Sequence, residues 1–234
     1  MPKYLYTFEK TEAVRWLGHL DILRTFERAI RRAQLPIAFS SGFNPRERLS
    51  FANALSTGVT GALEPAMLEL TQPLPPDEIV SRLDEALPPG IRIHTCELVP
   101  DAGSKDLLNA YDRAEYTVIC GCSTEMTDEE AQEAINKLLA LSEITLVRER
   151  QGRTKTLDIR PYIHSLNLSP ECRTANRAMF ETVVALGESG NAKPTEVIQT
   201  LAGFLPGLTA RRTHRVRLIE RILPSTTLLL SEND

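Results

Sequence analysis

AMLELTQPL, residues 66–74, and AMFETVVAL, residues 178–186, decide the fold. Both alternate apolar with other residues, as a strand with one buried face does. Each precedes a segment that opens on proline and runs with helical period: PDEIVSRLDEALP from Pro76 and PTEVIQTLAGFLP from Pro194, which match without a gap. The second spacing is six residues longer, and the excess falls in GESGNA, a Gly/Ser/Asn-rich loop. Strand and helix recurring in one order point to an internal duplication.

Working outward, the first half reads as a strand over 3–8, an amphipathic helix over 18–33, a strand over 36–40, a short strand over 49–54, the 66–74 strand, a helix over 76–87 and a strand over 91–99. Residues 101–113, DAGSKDLLNAYDR, hold no sustained period and mark a linker. The second half reads as a strand over 115–122, a helix over 128–141, a hairpin over 144–163 turning at Gln151-Gly152, the 178–186 strand, a helix over 194–205 and a strand over 213–222. The expected fold class is α+β, a tandem duplication of ferredoxin-like split β-α-β units with antiparallel sheets and helices on one face. The units span 1–100 and 114–222, joined by the 101–113 linker and followed by a 223–234 tail.

The net charge of −4 conceals a division. Residues 1–60 hold nine Lys/Arg against five Asp/Glu, residues 61–144 five against seventeen, and residues 145–222 thirteen against seven. A local basic field attracts phosphates even on an acidic molecule. Apolar runs fall short of the ~18 residues of a membrane span, and the first residues, MPKYLYTFEK, lack the apolar core of a signal peptide. The expectation is a cytoplasmic protein without membrane contact. Cys96, Cys120, Cys122 and Cys172 show no C-x-x-C pair, so neither a metal nor another cofactor is expected.

Three stretches concentrate basic residues. On the 18–33 helix, Ile22, Leu23, Phe26, Ala29, Ile30 and Ala33 gather on one side, and Arg24, Arg28, Arg31 and Arg32 on the other. Asp21 and Glu27 are too few to pair four arginines, and arginine suits bidentate contact with phosphate. The turn SSGFNPRERLSF, residues 40–51, puts Phe43 beside Arg46 and Arg48, a stacking plane next to two phosphate donors or an aromatic folded into the core. The hairpin carries Arg148, Arg150, Arg153, Lys155 and Arg160, and ARRTHRVRLIER carries Arg211, Arg212, Arg215, Arg217 and Arg221. P-loop, G-x-G-x-x-G and G-x-S-x-G motifs are missing. His19 beside Asp21 is the candidate general acid/base, against a capping or packing histidine.

RWLGHLDILRTFERAIRRAQLPIAFSSGFNPRERLSF, residues 15–51, resembles a radical-SAM-linked family of bacterial proteins, found alone or fused behind a B12-binding radical SAM enzyme. The resemblance runs on through PAMLELTQPLPPDEIVSRL, KTLDIRPYI and KPTEVIQTL. Relatives carry His-Pro where this chain has Arg46-Glu47, so no loop histidine is available as a catalyst. The resemblance implies a partner, a radical SAM protein on a separate chain, because this chain lacks the cysteine triad of that chemistry. The paired halves also resemble, in architecture alone, the CRISPR repeat-processing endoribonucleases. Three functions follow as expectations: an RNA-binding accessory module for a radical SAM enzyme acting on tRNA or rRNA, a metal-independent endoribonuclease using His19, and a protein-interaction domain docking the radical SAM partner. For RNA, the expected contacts are Arg24, Arg28, Arg31, Phe43, Arg46, Arg48, Arg153, Lys155 and Arg160. The loop is expected to project beside the start of the 18–33 helix, near His19 and Arg24.

Overall fold

The computed structural model describes residues 1–100, 104–150, 152–170, 174, 176–187 and 190–221. Cys172, the Gln151 turn position and the 223–234 tail lie outside them. The first half runs β1 (Lys3–Lys10), α1 (His19–Arg32), β2 (Leu49–Phe51), β3 (Val59–Glu69), α2 (Pro76–Ala86) and β4 (Ile91–Val99). Its strands lie in the order β4-β1-β3 with β2 on β3, every pair antiparallel. A short α3 (Ser104–Leu107) leads to β5 (Tyr111–Cys122), α4 (Asp128–Ala140), β6 (Thr145–Arg150), β7 (Arg153–Asp158), β8 (Ile163–Leu168), β9 (Arg177–Ala185), α5 (Pro194–Leu201) and β10 (Leu208–Glu220). The second half lies in the order β10-β5-β9-β8, again antiparallel, and β6 and β7 form a separate two-stranded sheet.

The matched stretches 66–74 and 178–186 bury alike. Ala66, Leu68 and Leu70 point inward from the end of β3, and Ala178, Phe180 and Thr182 from β9. In the helices that follow, Ile79 and Leu83 are fully buried at the positions matched by Val197 and Leu201. Two apolar cores result, one under α1 and α2 and one under α4 and α5. Phe26 of α1 is completely buried against Tyr6, Phe8 and Phe51. Truncating such a ring to alanine costs ~3–5 kcal/mol.

One sheet runs through both halves. β3 pairs with β2 at Ala66–Leu68 and, further back, with β10 in parallel at Val59, Thr60 and Gly61. Arg215 of β10 stands opposite Tyr116, which faces the second core, and it also bonds Glu64, which stands opposite Phe8 in the first core. Cross-strand partners share a sheet face, so the helices of both halves cover the same face.

The 66–74 strand extends back to Val59 and ends at Glu69, the 194–205 helix ends at Leu201, and the last strand begins at Leu208. Three other expected elements differ in kind. The 36–40 strand reduces to bridges at Ile37 and Phe39, because the chain folds on itself there: Ser40 N–H donates to the Arg46 carbonyl and Arg48 N–H to that of Ala38, both at 2.8 Å. The 154–163 strand stops at Asp158, where Pro161 lacks a donor and a 3-10 turn forms over Arg160–Tyr162. β8 then follows, unread in the sequence because a bulge between Ile163 and Ser165 breaks the period of two. Finally, the 101–113 segment contains α3 and the first residues of β5.

Candidate nucleic-acid interface

α1 starts where the Asp21 carboxylate accepts the Gly18 N–H at 3.1 Å, and ends before Gln34, whose φ of 51° turns the chain back. Its inner positions Ile22, Phe26, Ala29 and Ile30 are buried. The opposite side presents Leu20, Arg24, Arg28 and Arg31 to solvent, spaced by three or four residues. Arg31 Nε donates to the Glu27 carbonyl at 3.1 Å and lies 3.5 Å from the Glu47 carboxylate. Arg32 donates to the Ala86 carbonyl at 2.5 Å. Arg24 and Arg28 have no ionic or hydrogen-bonding partner among the described residues.

The 40–48 loop resolves the two readings of Phe43: the ring is fully exposed, at 102%. Gly42 beside it has φ 135°, which a side chain would strain. Arg46 fixes the loop through its backbone N–H, which donates to Ser40 Oγ at 3.0 Å, while its side chain is exposed and unpaired among the described residues. Arg48 is partly held, by the Phe39 carbonyl at 3.4 Å and the Glu69 carboxylate at 3.2 Å. The loop lies beside the second half of α1, not its start, since Glu47 at its base meets Arg31. The expected position fails because the loop is inserted part-way along the returning strand: Ile37 pairs with Leu70, and Leu49, twelve residues on, pairs with Leu68.

At the start of α1 the neighbours are Phe51 and the residues after it. His19 is exposed, with its ring edge-on to Phe51 at 5.9 Å, above a small recess that includes Lys10, Asn53 and Glu64. Asp21 is occupied in the helix cap and does not serve His19. Below lies a charged group that the sequence did not reveal. Arg215 and Glu64, 1% and 4% exposed, form a two-pronged ion pair, and Arg215 Nη2 also donates to the Asn53 carbonyl at 2.7 Å. An arginine in a strand ordinarily signals a solvated face; across from this one stands Gly61, where a Cβ would run into the Glu64 carboxylate that the arginine holds.

On the hairpin, Lys155 is exposed and unpaired among the described residues. Arg153 lies in β7 by its backbone, and its side chain is outside the described set. Arg148 is bound by Glu196 at 2.7 and 2.5 Å and by Asn191 at 2.7 and 2.9 Å, which ties the hairpin to the start of α5. Arg160 is turned inward: its guanidinium donates to the Leu139 carbonyl at 3.2 and 2.7 Å and to that of Ile163 at 3.1 Å. It closes the end of α4, where unpaired carbonyls need donors.

Residues 3–194 match the family described as uncharacterized proteins conserved in bacteria, DUF2344. The chain belongs to that family. No curated protein matches it. Among solved structures, a Cbf5-Nop10-Gar1 complex matches with TM-score 0.52 and 11% identity over 92% of this chain and 48% of that one. An H/ACA RNP bound to a substrate RNA containing 2'-deoxyuridine matches with TM-score 0.51 and 10% identity over 92% and 47%. The DUF2344 chain thus spans about half the length of the solved chains it matches, and at this identity the likeness concerns fold alone.

The DUF2344 match includes α1, the Phe43 loop and the hairpin, and stops before β10. The basic run on β10 is largely neutralised in place. Arg217 meets Glu115 at 2.7 Å, Arg212 lies 3.8 Å from Glu12, Arg221 lies 3.9 Å from Asp112, and Arg215 is core. Burial pushes the Cys120 thiol up to about 12, with Cys122 adding to the rise, so Cys120 fills the core as a thiol at neutral pH. No helix among the described residues is long and apolar enough to cross a membrane.

Proposed function

We propose that this chain is an RNA-binding accessory module that presents RNA to a separate radical SAM enzyme. The observation that carries the reading is the fully exposed Phe43 near Arg46, on a loop that meets Arg31 of the arginine stripe, with Arg46, Arg24 and Arg28 all unpaired among the described residues. An aromatic ring in water has no stability role, whereas bases stack on such rings and arginines answer the phosphates between them. Arg31 and Arg48 border the same surface, held in place by Glu47 and Glu69. Lys155 and Arg153 on the hairpin form a second foothold, in the second half. The neighbour solved with a substrate RNA supports the reading at the level of fold. The radical SAM partner rests on the resemblance of residues 15–51 to that linked family. We read the chain as two ferredoxin-like units, 1–100 and 114–222, arisen by duplication; the repeated strand order and the matched burial of Ile79 and Leu83 with Val197 and Leu201 support this.

The test is an electrophoretic binding assay with total tRNA and rRNA, starting at low salt. A retarded complex that dissolves steeply as salt rises is expected, because bound phosphates release counterions. No complex at low salt overturns the proposal. Capture of the radical SAM protein that survives nuclease, with no RNA bound, would point instead to a protein-docking surface.

A further inference from the structure

Trp16, the chain's single tryptophan, is 68% exposed, and Leu20, in the first turn of α1, is 62% exposed. Trp16 is nevertheless held. The Arg15 guanidinium sits over its ring at 4.6 Å, Arg15 is fixed in turn by Glu12 at 2.7 Å, and the indole rests against Gly58, where a Cβ would approach it to 3.2 Å. A large ring fixed in orientation but left in water is a platform rather than a core residue. It stands just before α1, and Phe43 is on the loop whose base, at Glu47, meets Arg31 in the last turn of α1. The 14 residues of α1 between them cover about 21 Å at ~1.5 Å each, with Arg24 and Arg28 along the way.

We infer that Trp16 and Phe43 are the two ends of one track for single-stranded RNA, its bases stacked at both ends and its phosphates on Arg24 and Arg28. This rests on the RNA-binding reading and narrows its substrate class. Duplex RNA hides its base faces in the stack, so two separated aromatic platforms favour an unpaired strand, whereas arginines alone would accept either form.

Trp16 makes the test direct, because its fluorescence reports stacking without a label. The whole chain is titrated at low salt with an oligouridylate of about 12 nucleotides, within the ~4–16 nucleotides such grooves cover, and separately with an RNA hairpin whose stem holds about as many nucleotides, all paired and closed by a compact tetraloop. The single strand is expected to quench Trp16 emission to saturation and to bind more tightly than the hairpin. Phe43→Ala is expected to weaken oligouridylate binding by about 5- to 150-fold, the loss of one stacked base, with an unchanged melting temperature since the ring is fully exposed. Tighter hairpin binding, oligouridylate binding without quenching, or unchanged affinity in Phe43→Ala overturns the track. If tRNA or the hairpin binds and oligouridylate does not, only this inference falls. If no RNA binds, the proposed function falls with it.

Discussion

Arg215 and Glu64 join the two halves from opposite sides of the β3–β10 seam, Nε to Oε1 at 2.9 Å, with both side chains almost wholly buried. The pair is 151 residues apart in sequence, and it lies where β3 and β10 pair over only three residues. A buried charge without its partner is strongly unfavourable. Glu64→Ala is therefore expected to lower stability by ~3–5 kcal/mol in denaturant unfolding. Replacing both residues by leucine is expected to cost much less, since the uncompensated charge disappears with its partner. Equal losses in the single and double variants would contradict this account of the seam.

Lys10 lies beside that pair, 1% exposed, and donates to the Arg15 carbonyl at 2.9 Å and the Leu17 carbonyl at 2.8 Å. Burial lowers its pKa to about 8; Glu64 opposes the fall and Arg215 adds to it. An unfolded lysine titrates at ~10.4, so between these values the unfolded chain binds more protons than the folded one. The Lys10 contribution to stability therefore grows as pH rises through that window and is lost as pH falls through about 8. Comparing wild type with Lys10→Met by unfolding at a series of pH values isolates it. The wild-type advantage is expected to increase above pH 8, and a pH-independent difference would refute the assignment.

Arg160 separates architecture from binding on the hairpin side. Its three hydrogen bonds to the Leu139 and Ile163 carbonyls leave little of the guanidinium for a ligand. Arg160→Ala is expected to lose ~1.5–3 kcal/mol of stability, the worth of bonds from a charged donor. RNA affinity, measured well below the variant's melting temperature, is expected to stay unchanged. Lys155→Ala should do the reverse, weakening binding without affecting unfolding.

The repeated strand and helix were legible because burial imposes a period, and Ala66, Leu68, Ala178 and Phe180 follow it. The arginine stripe was legible because too few acids share its helix. The seam was not: three parallel pairs between β3 and β10 leave no local pattern in either strand. Arg215 was misread for the same reason, as its acid lies in a distant segment and an alternating arginine looks solvated. Phe43 could not be placed, because an aromatic ring carries the same signal whether it fills a core or offers a stacking face. The loop's position was missed because the strand containing it is broken by the inserted residues, an interruption that Gly42 and Pro45 announce without saying where it leads.

Whether the α1 stripe and the Phe43 loop hold RNA is decided by the salt dependence of RNA affinity, compared between wild type and a variant with Arg24, Arg28 and Arg46 all changed to alanine. Each lost phosphate contact on a single strand should reduce the steepness of log K against log salt by ~0.7. The variant is expected to bind more weakly at every salt concentration, with a slope shallower by about 2 if all three contact phosphates, and to melt at the wild-type temperature because none of the three side chains has a partner among the described residues. Wild-type affinity and slope in the variant would show that the α1 stripe and the Phe43 loop do not hold RNA.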